Sequence, residues 1–108
     1  MKADITPLDG RNPLVDAAVV VPQIIRQIPP KYTPDAMRAK LQGQVDVEVI
    51  VMPDGTVGKV RVVRSLDPLY GLDEQALLAA SQSTFTPGTL DGKPVPVLVT
   101  MTFEFRMH

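Results

Sequence analysis

Across residues 45–51 every odd position is valine, while Asp46, Glu48 and Ile50 take the even ones. Successive side chains of a β-strand point to opposite faces, so this segment presents one apolar face and one largely polar face. Pro53-Asp54-Gly55-Thr56 follows, a turn sequence in which proline presets one dihedral and glycine accepts positive φ. Pairing outward from that turn sets Val49 against Val60 and Val47 against Val62. On the other face Glu48 then meets Arg61, and Ile50 meets Lys59. One register makes one side dry and the other charged, as a half-buried hairpin requires; a slip of one residue would exchange the two.

The closing segment alternates in the same way. Val95, Val97, Val99, Met101, Phe103 and Phe105 are interleaved with Pro96, Leu98, Thr100, Thr102 and Glu104, which predicts one long strand. Pro94 and Pro96 stand two apart, so their missing amides fall on the same side. Proline cannot donate to a ladder, and that side is therefore expected to be a free edge at the start of the strand. By the same alternation the backbone groups of Leu98, Thr100, Thr102 and Glu104 are expected to point outward. The first hairpin strand carries no proline or internal glycine and is the natural centre, giving the order second, first, third.

Two helices are predicted. Thr33 can cap the first, Pro34 suits its opening position, and Asp35 complements the amino-terminal dipole. Met37 and Leu41 supply its buried stripe, and Gly43 stops it. In the second, Asp73 is the expected cap, flanked by Leu72 and Leu77 as a hydrophobic staple. Its body, Glu74-Gln75-Ala76-Leu77-Leu78-Ala79-Ala80, has high helix propensity and should end near Ser83, ahead of Pro87 and Gly88.

Ahead of these elements Pro7, Gly10, Pro13, Pro22, Pro29 and Pro30 break every window in which a helix could form. Val19, Val21, Ile24 and Ile28 can still pack, so residues 1–28 read as an extended arm or linker lying on a domain of residues 29–108. The expected fold is α+β, a three-stranded antiparallel sheet with two helices packed on one face.

Composition narrows function. Eleven basic side chains against twelve acidic ones leave no excess charge to neutralise a phosphate backbone, so no nucleic-acid partner is expected. Cysteine is absent, which removes disulfides, thiolate metal sites and cysteine nucleophiles together. The longest apolar run is the five residues 17–21, far short of the ~20 that span a bilayer core. Residues 1–7 lack the apolar core of a signal peptide, and the chain reads as cytosolic or as the soluble portion of something longer.

Asp46 and Glu48 share a strand face, but with Lys59 and Arg61 opposite they read as a solvated, ion-paired face rather than a catalytic or metal-binding pair. His108, the one histidine, is terminal and has no partners for a triad or a zinc site. Gly55-Thr56-Val57-Gly58-Lys59 has the wrong glycine spacing for a phosphate loop and falls inside a hairpin. No catalytic residue, metal site or cofactor is expected. What stands out is the last strand's edge. Prolines and the charged Glu104 and Arg106 would protect it as an ordinary edge, whereas an unbroken row of donors and acceptors would accept a partner strand.

Read together, several short pieces resemble one family. They are Pro30-Lys31-Tyr32-Thr33-Pro34, Gly43-Gln44-Val45, Pro53-Asp54-Gly55, Val60-Arg61-Val62-Val63-Arg64-Ser65, Leu72-Asp73, Phe85-Thr86-Pro87-Gly88, Asp91-Gly92-Lys93-Pro94-Val95-Pro96-Val97 and Phe103-Glu104-Phe105. In this order and spacing they resemble the carboxy-terminal domain of TonB-family energy transducers, over residues 29–106. The resemblance implies a periplasmic module, tethered to the inner membrane through an anchor outside this sequence and driven there by a proton-powered complex. It implies that an outer-membrane transporter's TonB-box peptide adds to the sheet beside Leu98, Thr100, Thr102 and Glu104. Lys31 and Tyr32 are further candidate contacts, with the alternative that Tyr32 plugs the first helix onto the core. It is also compatible with a docking or structural role in signalling or motility complexes, and with a homodimer formed by edge pairing. Where family members carry glutamine before the Pro-x-Tyr piece, this chain has Pro29.

Overall fold

The structure, a computed structural model, describes residues 3–7 as backbone and residues 19–107 in full; His108 and the first part of the run at 17–21 lie outside the described residues. In chain order the elements are β1 (Ala3–Pro7), β2 (Val19–Val20), β3 (Ile24–Arg26), α1 (Pro34–Arg38), β4 (Gly43–Val51), β5 (Val57–Arg64), α2 (Leu72–Gln82), β6 (Thr84–Phe85), β7 (Gly88–Leu90), β8 (Lys93–Val95) and β9 (Val97–Phe105). The main sheet is antiparallel throughout and ordered β1-β9-β4-β5. It therefore has four strands rather than the expected three, because β1 is added outside β9.

The hairpin follows the valine pattern. Val47 stands opposite Val62, Glu48 opposite Arg61 and Val49 opposite Val60. The expected match of Ile50 with Lys59 fails, since the register shifts between Val49 and Val51 and a bulge absorbs an extra residue of β5. Val45, Val47, Val49 and Val51 of β4 and Val97, Val99, Met101, Phe103 and Phe105 of β9 form one buried cluster with Ala36 of α1 and Leu72, Ala76, Ala79 and Ala80 of α2. Small alanines let the helix backbones approach the sheet. Each buried valine contributes roughly 1.5–3 kcal/mol relative to exposure, which holds β4 and β9 to a single facing.

Thr33 caps α1 as expected, its Oγ1 accepting from the Ala36 N–H at 3.2 Å, with Pro34 at the opening position. The helix stops earlier than expected. Lys40 adopts φ 55, and the Leu41 N–H donates back to the Ala36 carbonyl at 3.0 Å, so Gly43 opens β4 instead of ending α1. On so short a helix Ala36 faces the core and Met37 faces outward.

The start of α2 also differs. Its cap is Gly71, with φ 96, and Asp73 lies inside the first turn. Buried Asp67 supplies the capping instead: Oδ1 accepts from the Leu69 and Tyr70 N–H groups at 3.0 and 2.8 Å, and Oδ2 from Leu72 N–H at 3.2 Å. Asp73 reaches back to the same loop, accepting from the Leu66 and Asp67 N–H groups at 3.0 and 2.9 Å and from the Ser65 hydroxyl.

The last strand is not continuous. Pro96 breaks it, and β8 on the other side pairs with β7 in a small sheet ordered β2-β7-β8. The segment before α1 is strapped to this region: β2 pairs with β7, β3 pairs with β6, and the backbones of Gln23 and Thr86 are bonded at 2.7 Å.

Candidate functional site on the last strand

The strand with the candidate site is pinned from beneath and from one side. Val97, Val99, Met101, Phe103 and Phe105 are each at most 2% exposed, which leaves β9 no freedom to roll. Across β4, Leu98 faces Ile50, Thr100 faces Glu48, Thr102 faces Asp46 and Glu104 faces Gln44. Thr102 Oγ1 donates to Asp46 Oδ1 at 2.7 Å, Arg61 pairs with Glu48 at 2.8 Å, and Glu104 pairs with Arg106. The polar face expected from the sequence is thus internally satisfied, and Asp46 and Glu48 engage different partners instead of converging on one point.

The outer edge of β9 is where the structure departs most from expectation. Residues 97–101, expected to be unpaired, carry β1 in antiparallel register: Ala3 opposite Met101, Asp4 opposite Thr100, Ile5 opposite Val99, Thr6 opposite Leu98 and Pro7 opposite Val97. The proline argument fails because Pro94 lies in β8 and Pro96 lies in the break, so neither constrains the edge of β9. The four candidate residues are consequently divided. Leu98 and Thr100 lie under β1, while Thr102 and Glu104 lie beyond it. Among the described residues no strand pairs with the outer edge of 102–105. At that end a shallow hollow is lined by Gln42, Gln44, Arg64, Glu104 and Arg106.

Lys31 and Tyr32, paired as candidates in the sequence, point to different tasks. Tyr32 is half-buried, donates its hydroxyl to the Leu41 carbonyl and sets its ring edge-on to Phe105, centroids 5.6 Å apart at 83°. It locks the end of β9 to the segment after α1. Lys31 is exposed and lines a groove of about 300 Å³ with Ile28, Pro29, Gln75, Leu78 and Gln82, on the α2 side. Among the described residues no group of three or more His, Cys, Asp or Glu side chains could hold a metal ion.

Sequence reasoning missed two elements at or near this site. Ala3-Asp4-Ile5-Thr6 holds a β-branched pair just before a proline, the one local sign of a short strand. The Asp67 loop, Asp67-Pro68-Leu69-Tyr70-Gly71, carries an aspartate set before a proline and glycine, an ordinary sign of a side-chain-organised turn.

The family profile for the Gram-negative bacterial TonB protein C-terminal region matches residues 28–107. The chain belongs to the TonB C-terminal domain family. Two curated relatives, Protein TonB of Xanthomonas campestris pv. campestris strains B100 and ATCC 33913, are each 35% identical over 80 residues. That stretch covers 74% of this chain and 35% of each relative, so the chain spans about a third of their length. The solution NMR structure of the Pseudomonas aeruginosa TonB CTD is similar at a TM-score of 0.63 and 25% identity, covering 88% of this chain and 92% of that one. TonB C-terminal domains are periplasmic parts of a non-enzymatic energy transducer. No helix among the described residues is long and apolar enough to cross a membrane.

Proposed function

We propose that this TonB C-terminal domain binds the extended TonB-box peptide of an outer-membrane transporter as an added strand on β9. It then passes on work delivered by a proton-driven inner-membrane complex through a tether outside this sequence. The backbone of Leu98, Thr100, Thr102 and Glu104 carries the pairing. The observation behind this reading is the outer edge of 102–105, beside which no described strand lies. Next to it β9 holds β1 over five consecutive pairs, the extended, regular geometry that strand addition needs.

The Thr102–Asp46 contact lends support. Side chains across an antiparallel ladder come closest in pairs that exchange no backbone hydrogen bonds with each other. A hydroxyl–carboxylate bond at 2.7 Å fits such a pair, whose backbone groups then turn to the other edge. Alternation extends the same orientation to Leu98, Thr100 and Glu104.

The energetics suit a grip that forms and releases. Five or six ladder bonds at a net ~0.5–1.5 kcal/mol each give about 3–9 kcal/mol, against an association cost of at least ~4 kcal/mol. Under tension along the strand those bonds share the force, so modest affinity and mechanical transmission are compatible.

Thr102→Pro tests the reading, because it removes one outward donor beyond the reach of β1. With a synthetic peptide carrying a transporter's TonB box, titration calorimetry should show binding at least tenfold weaker, with an unchanged circular dichroism spectrum. A folded Thr102→Pro chain that binds as tightly as the parent would contradict it.

A further inference from the structure

We propose that β1 is a built-in competitor for the partner strand, a tethered segment that occupies half of the edge and is displaced when a peptide binds. The inference rests on the reading of β9 as the partner site. Its basis is the register: the backbone of residues 3–7 lies against 97–101, the positions of Leu98 and Thr100, and leaves Thr102 and Glu104 uncovered. Among the described residues β1 is the outermost strand and pairs with β9 alone. It closes at Pro7, opposite Val97.

This geometry provides a route for exchange. An incoming strand can pair first with 102–105, where no described strand lies, and then advance toward Val97 as β1 peels away residue by residue. Each backbone bond that β1 gives up is replaced by one of the same kind. The balance is therefore decided by side-chain contacts and by the high effective concentration of a tethered competitor. The apparent affinity for peptide falls in proportion to the fraction of molecules whose edge is open. An edge open one-tenth of the time weakens binding about tenfold, equivalent to about 1.4 kcal/mol.

The test compares the full chain with the same chain carrying Asp4→Pro and Ile5→Pro. Adjacent strand residues send their amides to opposite sides, so the double change removes a donor toward β9 whichever of the two supplies it. Hydrogen exchange read by NMR should be faster at 97–101 in the variant and unchanged in β4 and β5. Calorimetry with the synthetic TonB-box peptide should give about tenfold tighter binding to the variant. As a check on the unaltered chain, excess synthetic peptide of residues 2–8 should weaken TonB-box binding. Equal affinity of parent and variant, with the peptide protecting β9 in both, overturns the competitor and leaves strand addition standing. No difference in exchange at 97–101, or no effect of the 2–8 peptide, also overturns the competitor. A peptide that binds neither chain, or binds without protecting β9, removes the strand-addition reading and the competitor with it.

Discussion

Asp4 lies directly opposite Thr100 in an antiparallel register, on the outer side of the last strand. On its inner side Thr100 faces Glu48, so it sits within the sheet over this stretch and not at its border. A homodimer through the edge of β9 needs that edge from both copies, and with β1 in place only 102–105 remains available to it. Sedimentation velocity should therefore give a monomer. A dimer that buries 97–101 would contradict this arrangement.

Asp67 organises the entry to α2 together with Asp73. At 3% exposure its carboxylate satisfies three backbone N–H groups, and Asp67→Ala strands all three. The expected loss is about 3 kcal/mol in urea denaturation; a loss below about 1 kcal/mol would show that water or another group takes over. Burial pushes this carboxyl up, but the bonds from Tyr70, Leu72 and Leu69 outweigh it and hold the carboxyl below the usual range. A depressed folded pKa means that the stabilisation is complete above the unfolded value of about 3.9 and is lost as pH falls through the folded one. Stability should drop below about pH 4 in the parent and less steeply in Asp67→Asn, followed by denaturation from pH 7 to 2.

Much of the fold is legible in the sequence, and the largest exception has a physical cause. The valine pairs of the β4–β5 hairpin, the Thr33 cap, the end of α2 near Ser83 and the buried face of β9 each follow from a local pattern: alternation, a capping pair, a helix-forming run. The largest failure depended on contacts distant in sequence. β1 finds β9 across almost the whole chain, as Ala3 does Met101, and nothing local to either names the other. The two-residue strands β2 and β6 are too short to show any period. Asp73 looks like the cap in the sequence, but with the left-handed turn at Gly71 it lies inside the first turn and Asp67 does the capping. For the candidate site, the last strand was legible; the strand β1 beside it was not.

Gly55 and Gly92 both have positive φ, 86 and 80, yet they should respond differently to alanine. A β-carbon at Gly55 would collide with the Phe85 carbonyl oxygen, whose own N–H donates to the Gly55 carbonyl at 2.9 Å, whereas at Gly92 it meets nothing within 4 Å. Gly92→Ala should cost the left-handed backbone penalty alone, about 1 kcal/mol. Gly55→Ala should cost at least about 2 kcal/mol more, as the turn is forced off the segment before β7. Thermal denaturation of the pair decides it, and equal losses would contradict the docking of the turn on Phe85.

Tyr32 is a packing residue on this account. Tyr32→Phe keeps the edge-on contact with Phe105 and loses the bond to the Leu41 carbonyl, for an expected cost of about 1 kcal/mol in stability. Affinity for a TonB-box peptide should be unchanged. A variant with full stability and tenfold weaker binding would make Tyr32 a partner contact instead.

The most direct measurement is residue-resolved hydrogen exchange along β9 as a TonB-box peptide is titrated in. Strand addition predicts new protection at Thr102 and Glu104, while Thr100 and Leu98 keep theirs as the peptide replaces β1 and the resonances of residues 3–7 shift to those of a released segment. Saturating peptide that leaves the exchange of Thr102 and Glu104 unchanged would mean that the partner binds elsewhere, and the assignment of β9 as the binding edge would be wrong.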